Sequence, residues 1–475
     1  MLTARKQQLL KQHRKRKRLV LLVALVIALA SAWLFWWLPL VLLCLLWIGH
    51  EAWFSDHLFY SPASDYDYRL DADEQHVLNL AQGVLTLPQG CVVQPGDTLL
   101  LRVRLRADWL GRFLDPSVRV RGDSDDTQTF ERGVAGVRYL NLSGQDAALN
   151  EGRLWLGGQR CRLESEVEVF ICRHPDYLDG PLLVIAPHAD DAELAAFAAY
   201  SQARESWIVT LTAGEIETGH YQDMGLDAVS AARLKGRLRA WDSISVPLWA
   251  GVPQQRCVQL GYFCLQLPVM KANPEQAVAS READLTDTRL FRRFNSLTLA
   301  SDASGAPSWN NLVQDLVELI ERIRPATIVL PEPVLDPHPD HVCARDAVIE
   351  AFERCQWQPQ ALLHYANHLH DNDRWPMGNA GDGVALPPHF NSEPPMRPWV
   401  LPVTTQQQWS KAMALGMMHD LQPRPPFKRR LRRFLQRCLA ARKWPAFGEN
   451  EFFRKAVRRH ELFWVCAKAD KREQL

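Results

Sequence analysis

None of the ten cysteines lies in a CxxC pair; they fall singly at 44, 91, 161, 172, 257, 264, 343, 355, 438 and 466. Zinc-finger and thioredoxin-type spacings are therefore excluded, and so is a disulfide scaffold. Cys44 sits in an apolar run, which leaves an odd nine elsewhere and favours a reducing compartment. Net charge is nearly absent as well, at 55 basic against 54 acidic residues. That balance hides blocks of opposite sign. Residues 1–18 carry eight basic residues and no acid, residues 421–448 carry nine and none, and the rest holds 38 basic against 54 acidic. So acidic a body excludes nucleic acid as a partner, while the two basic ends suit anionic lipid. No repeat appears at periods of roughly 20–50 residues, which excludes a solenoid or propeller.

What is present is a chain of 475 residues, 47% hydrophobic and 23% charged. Disorder and a polytopic transporter both fit poorly, and the length suggests about three domains. Residues 19–49 contain no charge and follow the cluster Arg14, Lys15, Arg16, Lys17, Arg18, so a membrane segment over 19–54 is expected, with a cytoplasmic N-terminus over 1–18. The run is too long for a cleavable signal peptide. Trp33, Trp36 and Trp37 form one aromatic cluster, and Trp47, Trp53 and Phe54 a second. Two topologies follow: one span over residues 19–37, or a hairpin turning near Pro39. The hairpin places the folded body on the cytoplasmic side and brings the basic stretch 428–443 to the same leaflet.

From residue 66 to 175 the apolar pattern has period two, as in LLLRVRLR at 99–106, SVRVR at 117–121 and EVEVFIC at 166–172. Turn signals such as Pro95-Gly96-Asp97 separate these runs, and an all-β sandwich is expected. It could bind glycan, or serve as a spacer packed on the next domain. After Gly180 the pattern changes to strand 182–186, helix 191–202 and strand 207–212, a βαβ unit; a helix over 312–323 then leads to a strand over 326–330. The fold class expected for residues 178–422 is α/β, a Rossmann-like, mostly parallel sheet flanked by helices. Residues 423–475 read as a basic helical region.

Chemistry in such sheets sits where strands end, and both strands are followed there by polar clusters. The first is Pro187-His188-Ala189-Asp190-Asp191-Ala192-Glu193. His188 and Asp191 can turn toward one point as zinc ligands, leaving Asp190 as a carboxylate fit for a general base. The plainer reading makes both aspartates helix N-caps. The second cluster is Asp336-Pro337-His338-Pro339-Asp340-His341. His341 can supply a third ligand and keep the fourth position open, the arrangement of a catalytic zinc. His338, held as an imidazolium by Asp340, could stabilise an oxyanion and protonate a leaving amine. A proline-rich loop with solvated histidines is the alternative.

At these residues the sequence resembles the PIG-L (LmbE-like) deacetylases, zinc hydrolases that remove acetyl from N-acetylglucosamine-type sugars. The family's first motif, His-Pro/Ala-Asp-Asp followed by Glu, corresponds to residues 188–193, and its second, His-Pro-Asp-His, is residues 338–341. The resemblance implies zinc on His188, Asp191 and His341, Asp190 as base, and assistance from His338 and Asp340. Thr212-Ala213-Gly214-Glu215 also looks like the family's Thr-x-Gly-Glu stretch. Its Arg-x-x-Glu helix is matched loosely by residues 232–237, and its Leu-Gly-Phe-x-Asp stretch becomes Leu260-Gly261-Tyr262-Phe263-Cys264, with cysteine in the acid's place.

The function expected is therefore a membrane-anchored, zinc-dependent de-N-acetylase in the bacterial inner membrane. Its substrate would be an N-acetylated amino sugar of a lipid-linked or envelope glycan, lipopolysaccharide core for example. A non-catalytic glycan-binding or scaffold protein, and a zinc hydrolase of another amide or ester, are the competing readings.

Overall fold

The computed structural model describes residues 4–33, 35–56, 58–369 and 371–466. Residues 1–3 and 467–475, the outer ends of the expected basic terminus and C-terminal region, lie outside the described residues.

Two helices, α1 (Ala4–Ser31) and α2 (Leu38–Gly49), pack on each other as a hairpin. The break falls at residues 32–37, with Trp33 and Trp36 95% and 87% exposed at the tip. Leu19, Leu22, Val26 and Leu29 on α1, and Leu40 and Leu45 on α2, also face outward. The single span over residues 19–37 is not formed, because α1 ends at Ser31. Among the described residues no helix is long and apolar enough to cross a membrane. The uncharged run is split into two pieces, each well short of the roughly 20 residues that crossing needs.

Eight strands follow: β1 (Glu74–Asn79), β2 (Val84–Leu85), β3 (Thr98–Ala107), β4 (Ser117–Arg121), β5 (Asp126–Thr129), β6 (Ala135–Asn141), β7 (Leu154–Gln159) and β8 (Cys161–Cys172). They form two antiparallel four-stranded sheets, ordered β1-β8-β3-β6 and β2-β7-β4-β5. Alternation sets the faces. On β3, Leu99, Leu101, Val103 and Leu105 point into the core between the sheets, while Arg102, Arg104 and Arg106 point away and pair with acids. On its outer face the sandwich packs against the next domain: Leu100, Tyr139 and Phe170 share a cluster with Leu386, Val400, Leu462 and Trp464.

The second domain is built on a seven-stranded sheet from β9 (Pro181–Ala186), β10 (Glu205–Thr212), β11 (Cys257–Tyr262), β12 (Thr327–Pro331), β13 (Ala361–Tyr365), β14 (Arg397–Pro402) and β15 (His460–Cys466), in the order β11-β10-β9-β12-β13-β15-β14. The first five are parallel; β15 and β14 run antiparallel. The fold is thus mixed α/β, and the Rossmann-like parallel arrangement covers only the first five strands. The central strands are buried on both faces, which is why they read as unbroken apolar runs.

Helices α3 (Asp191–Gln202), α4 (Ala228–Ser245), α5 (Trp309–Ile323), α6 (Pro339–Arg354), α7 (Thr405–Met417) and α8 (Phe427–Leu439) complete the domain. On α5, Leu312, Leu316, Leu319 and Ile323 are buried at helical spacing. Ser308 caps its start by accepting from Asn311 N, and Arg324 ends it in the left-handed region ahead of Pro325. The C-terminal segment expected to be helical contributes α8 but also β15, inserted between β13 and β14. Glu461 on β15 fixes that insertion. Its carboxylate accepts from Lys411 Nζ on α7 at 2.8 Å and from the N–H groups of Ala198 and Ala199, which a kink at Ala196 frees from the α3 ladder.

Candidate metal centre and active site

Two adjacent parallel strands, β9 and β12, end side by side, and each is followed by a polar turn that opens a helix. The first turn carries His188 and Asp190 and starts α3 at Asp191; the second carries Asp336 and His338 and starts α6 at Pro339, whose ring tolerates the first helical turn. His188 Nδ1 and His341 Nε2 both lie 3.1 Å from Asp191 Oδ2, and 3.4 Å from each other. A tetrahedral zinc with bonds of about 2.0–2.1 Å holds its ligands about 3.3 Å apart. The three atoms therefore already stand at the edges of such a tetrahedron.

The far side of each ligand is occupied in a way that fixes it. His188 Nε2 faces Asp340 Oδ2 at 3.2 Å, and His341 Nδ1 donates to Asp336 Oδ2 at 2.9 Å. Asn367 Nδ2 donates to Asp191 Oδ1 at 2.8 Å, leaving Oδ2 for the shared point. Burial works against both imidazoliums, yet the carboxylates outweigh it: His188 is held well above its usual range and His341 is raised to about 10. Burial likewise opposes the charge on Asp191, Asp336 and Asp340, and the histidines hold all three below the usual range. Three buried carboxylates are thus balanced by two imidazolium protons. A divalent cation at the shared point would take the place of those two protons. Other groups of His, Asp and Cys atoms in the same cavity, such as His188, His338 and His341 or Asp191, His341 and His368, also lie within metal-binding reach.

Residues 183–352 match the PIG-L family model, described as GlcNAc-PI de-N-acetylase. They form a PIG-L domain. Among solved structures, GalB, the 4-carboxy-2-hydroxymuconate hydratase from Pseudomonas putida, is 13% identical, with 54% of this chain and 83% of that chain covered and a TM-score of 0.31. A triple mutant of the deacetylase involved in the teicoplanin biosynthetic pathway is 16% identical, with 61% and 99% covered and a TM-score of 0.30. No curated protein matches the chain.

All six residues expected in the site of the PIG-L domain, His188, Asp190, Asp191, His338, Asp340 and His341, lie on these two turns. One expected pairing is absent. Asp340 does not hold His338; it accepts from Leu265 N at 2.8 Å and faces His188. His338 instead packs its ring 5.1 Å from that of His188 and 5.0 Å from that of His341, and burial and those neighbours lower its pKa to about 4. These surroundings favour the neutral imidazole over the imidazolium.

Further neighbours complete the site, and of these Arg239 gave no sequence signal. Asp336 also accepts from the N–H groups of Asn367 and His368 at 2.8 and 3.0 Å. The arginine that enters the site from α4 is Arg239, whose Nη2 donates to Asp190 Oδ1 at 2.9 Å and whose Nη1 donates to Asp420 at 2.5 Å. Arg233, in the stretch expected to supply a basic residue, turns away to Ala283 and Asp284. Gly214 makes room for Arg239: its φ is +62°, and a Cβ there would lie 2.3 Å from Arg239 Nε. Cys264 sits against Asp340 at 3.6 Å, and burial pushes its thiol up, so it stands in the wall as an uncharged group.

Proposed function

We propose that the PIG-L domain is a zinc-dependent de-N-acetylase of an amino sugar, with zinc on His188, Asp191 and His341. The observation that carries this reading is the convergence of those three ligand atoms at tetrahedral spacing, beside a fourth polar residue that is not part of the set. Zinc supplies Lewis-acid polarisation of the amide carbonyl and makes water more acidic. Asp190, next in sequence to a ligand and held by Arg239, takes the proton of the attacking water. The neutral His338 can donate one N–H to the amide oxygen as negative charge develops there, without needing a proton of its own. The proton held by Asp190 then goes to the departing sugar amine, so one carboxylate serves as base and acid. Asp340 and Asp336 act on the ligand histidines and keep their rings turned to the metal.

The apolar hairpin of α1 and α2 supports a second element of the reading, attachment to a membrane surface, with α8 contributing basic side chains and exposed Phe427 and Phe434. Such a position suits a lipid-linked or envelope glycan, lipopolysaccharide core among them, and the bacterial inner membrane.

The test is acetate release from N-acetylglucosaminyl lipid by the purified full chain, with and without added zinc after chelation. Zinc-restored release is expected. A zinc-loaded chain that releases acetate from no N-acetylated sugar in envelope extracts would overturn the reading.

A further inference from the structure

One large cavity lies away from His188 and His341. It measures about 900 Å³ and lies where the sandwich, the 373–382 loop and the segment around α8 meet. Its wall is rich in arginine, and the question is which of those charges are already answered. Asp56 and Asp115 are matched by Arg374 and Arg442, Asp420 by Arg239 and Lys235, and Glu451 by Arg454. Once these pairs are set aside, Arg119, Arg160, Arg424, Arg429, Arg433, Lys443 and Lys455 remain in the wall with no ion pair among the described residues, and they outnumber the two other wall carboxylates, Asp373 and Asp382. Arg119 donates to the side-chain oxygen of Gln159, Arg160 to a backbone carbonyl, and Arg433 to the backbone carbonyl of Glu449 while its guanidinium lies over the Trp444 ring.

An excess of positive charge gathered round one cavity is self-repelling, and the repulsion is relieved by an anion with several oxygens. Guanidinium forks match phosphate oxygens two at a time. The volume lies within the range of ligand sites.

The cavity also adjoins the root of the apolar hairpin. Arg432 and Gln436, both in its wall, grip that root: Arg432 Nε donates to Glu51 at 2.5 Å, and Gln436 Nε2 donates to Ser55 Oγ at 3.1 Å. A lipid lying along the hairpin would bring its headgroup to this opening.

We propose that this cavity is a binding site for a phosphate group carried on a lipid headgroup or on a soluble phosphate compound. It stands apart from the zinc ligands, and the proposal holds whether or not the metal centre deacetylates.

The test uses the full chain in detergent and the variant R424Q/R429Q/K443Q, which removes three cations without breaking any ion pair described above. Inorganic phosphate is titrated by calorimetry at low salt. The parent is expected to bind, and the variant at least about tenfold more weakly, as expected when charge-assisted hydrogen bonds are lost. The metal centre is the same in both proteins, so the difference reports the cavity. Melting curves are compared first; if the triple variant melts early, R424Q alone carries the measurement.

A second arm compares vesicles of phosphatidylcholine with vesicles that also contain phosphatidic acid. If the acidic lipid strengthens binding of the parent but not of the variant, the source is a lipid headgroup. Equal strengthening of both, together with the calorimetric difference, assigns a soluble phosphate. No binding of inorganic phosphate by the parent, or equal binding by parent and variant, overturns the proposal whatever the vesicles do.

Discussion

The metal centre and the arginine-lined cavity are opposite in sign and opposite in origin. Around His188 and His341, carboxylates are in excess and the shape leaves room for a cation; around Arg424 and Arg429, guanidinium groups are in excess and the space admits an anion. The first is assembled from two short turns at the ends of neighbouring strands, so its geometry is inherited from the sheet. The second is assembled from five distant stretches, 55–56, 115–160, 373–382, 420–444 and 450–455, and exists only once the sandwich, the sheet and α8 have packed together. A site built on strand ends takes its spacing from the sheet. One built between packed bodies is wider and suits a diffuse charge.

The strongest way to break the contrast is to remove a ligand from the rigid centre. His341→Ala should abolish zinc binding and turnover together; metal analysis is expected to fall from about one zinc per chain to none, as an open three-ligand site cannot spare one. Full retention of zinc would show that another group, such as His368, completes the set. Asp190→Asn comes next. It should keep its zinc and its melting curve and lose about 10²- to 10⁴-fold in turnover; near-parental turnover would move the base elsewhere.

The contrast is sharpened by a residue that touches no substrate. Asp336→Asn weakens the hold on His341 Nδ1, and zinc affinity should fall about 10- to 100-fold while the fold persists. Chelator competition measures it, and unchanged affinity would make Asp336 merely structural. The smallest effect belongs to a group outside both centres. Burial, aided by the positive field of Arg345, lowers His364 from 6.5 to about 4. Between those values the unfolded chain binds a proton that the folded chain does not, so stability falls as pH falls, by up to ~1.4 kcal/mol per pH unit. H364L should flatten that slope in denaturant titrations at about pH 7 and about pH 5, which clears the background before either charged centre is titrated.

Much of the rigid centre was legible because its determinants are local. A buried apolar strand, a polar turn and a helix start can be read within one stretch, and the two such stretches carry His188 to Asp191 and His338 to His341. The helix over 191–202 and the strand SVRVR at 117–121 appear with the very limits their patterns suggest. What failed to show was contact between distant parts. Arg239 lies two residues beyond the stretch 232–237 that loosely matched the family's helix, and the packing of α4 and the bare Cα of Gly214 let it enter. The pairing of Asp340 with His188 instead of His338 depends on the direction in which each residue leaves the first turn of α6. The membrane segment read as a possible single span is a broken pair of helices, since uncharged composition sets the solvent of a stretch but not where its helix stops.

The insertion of β15 between β13 and β14 has a consequence for the order in which the chain can assemble during synthesis. β14 is made some sixty residues before β15 and touches the sheet only through it. Until β15 emerges, β13 presents an unpaired edge and β14 has no strand of its own sheet to bond, although both polar turns already exist. At about 5–20 residues per second this open interval lasts seconds, and an exposed strand edge in that time invites pairing with another nascent chain. The Lys411–Glu461 contact then acts as a latch: the late strand docks by delivering a carboxylate to a lysine and to two amide groups that the earlier part of the domain holds ready for it.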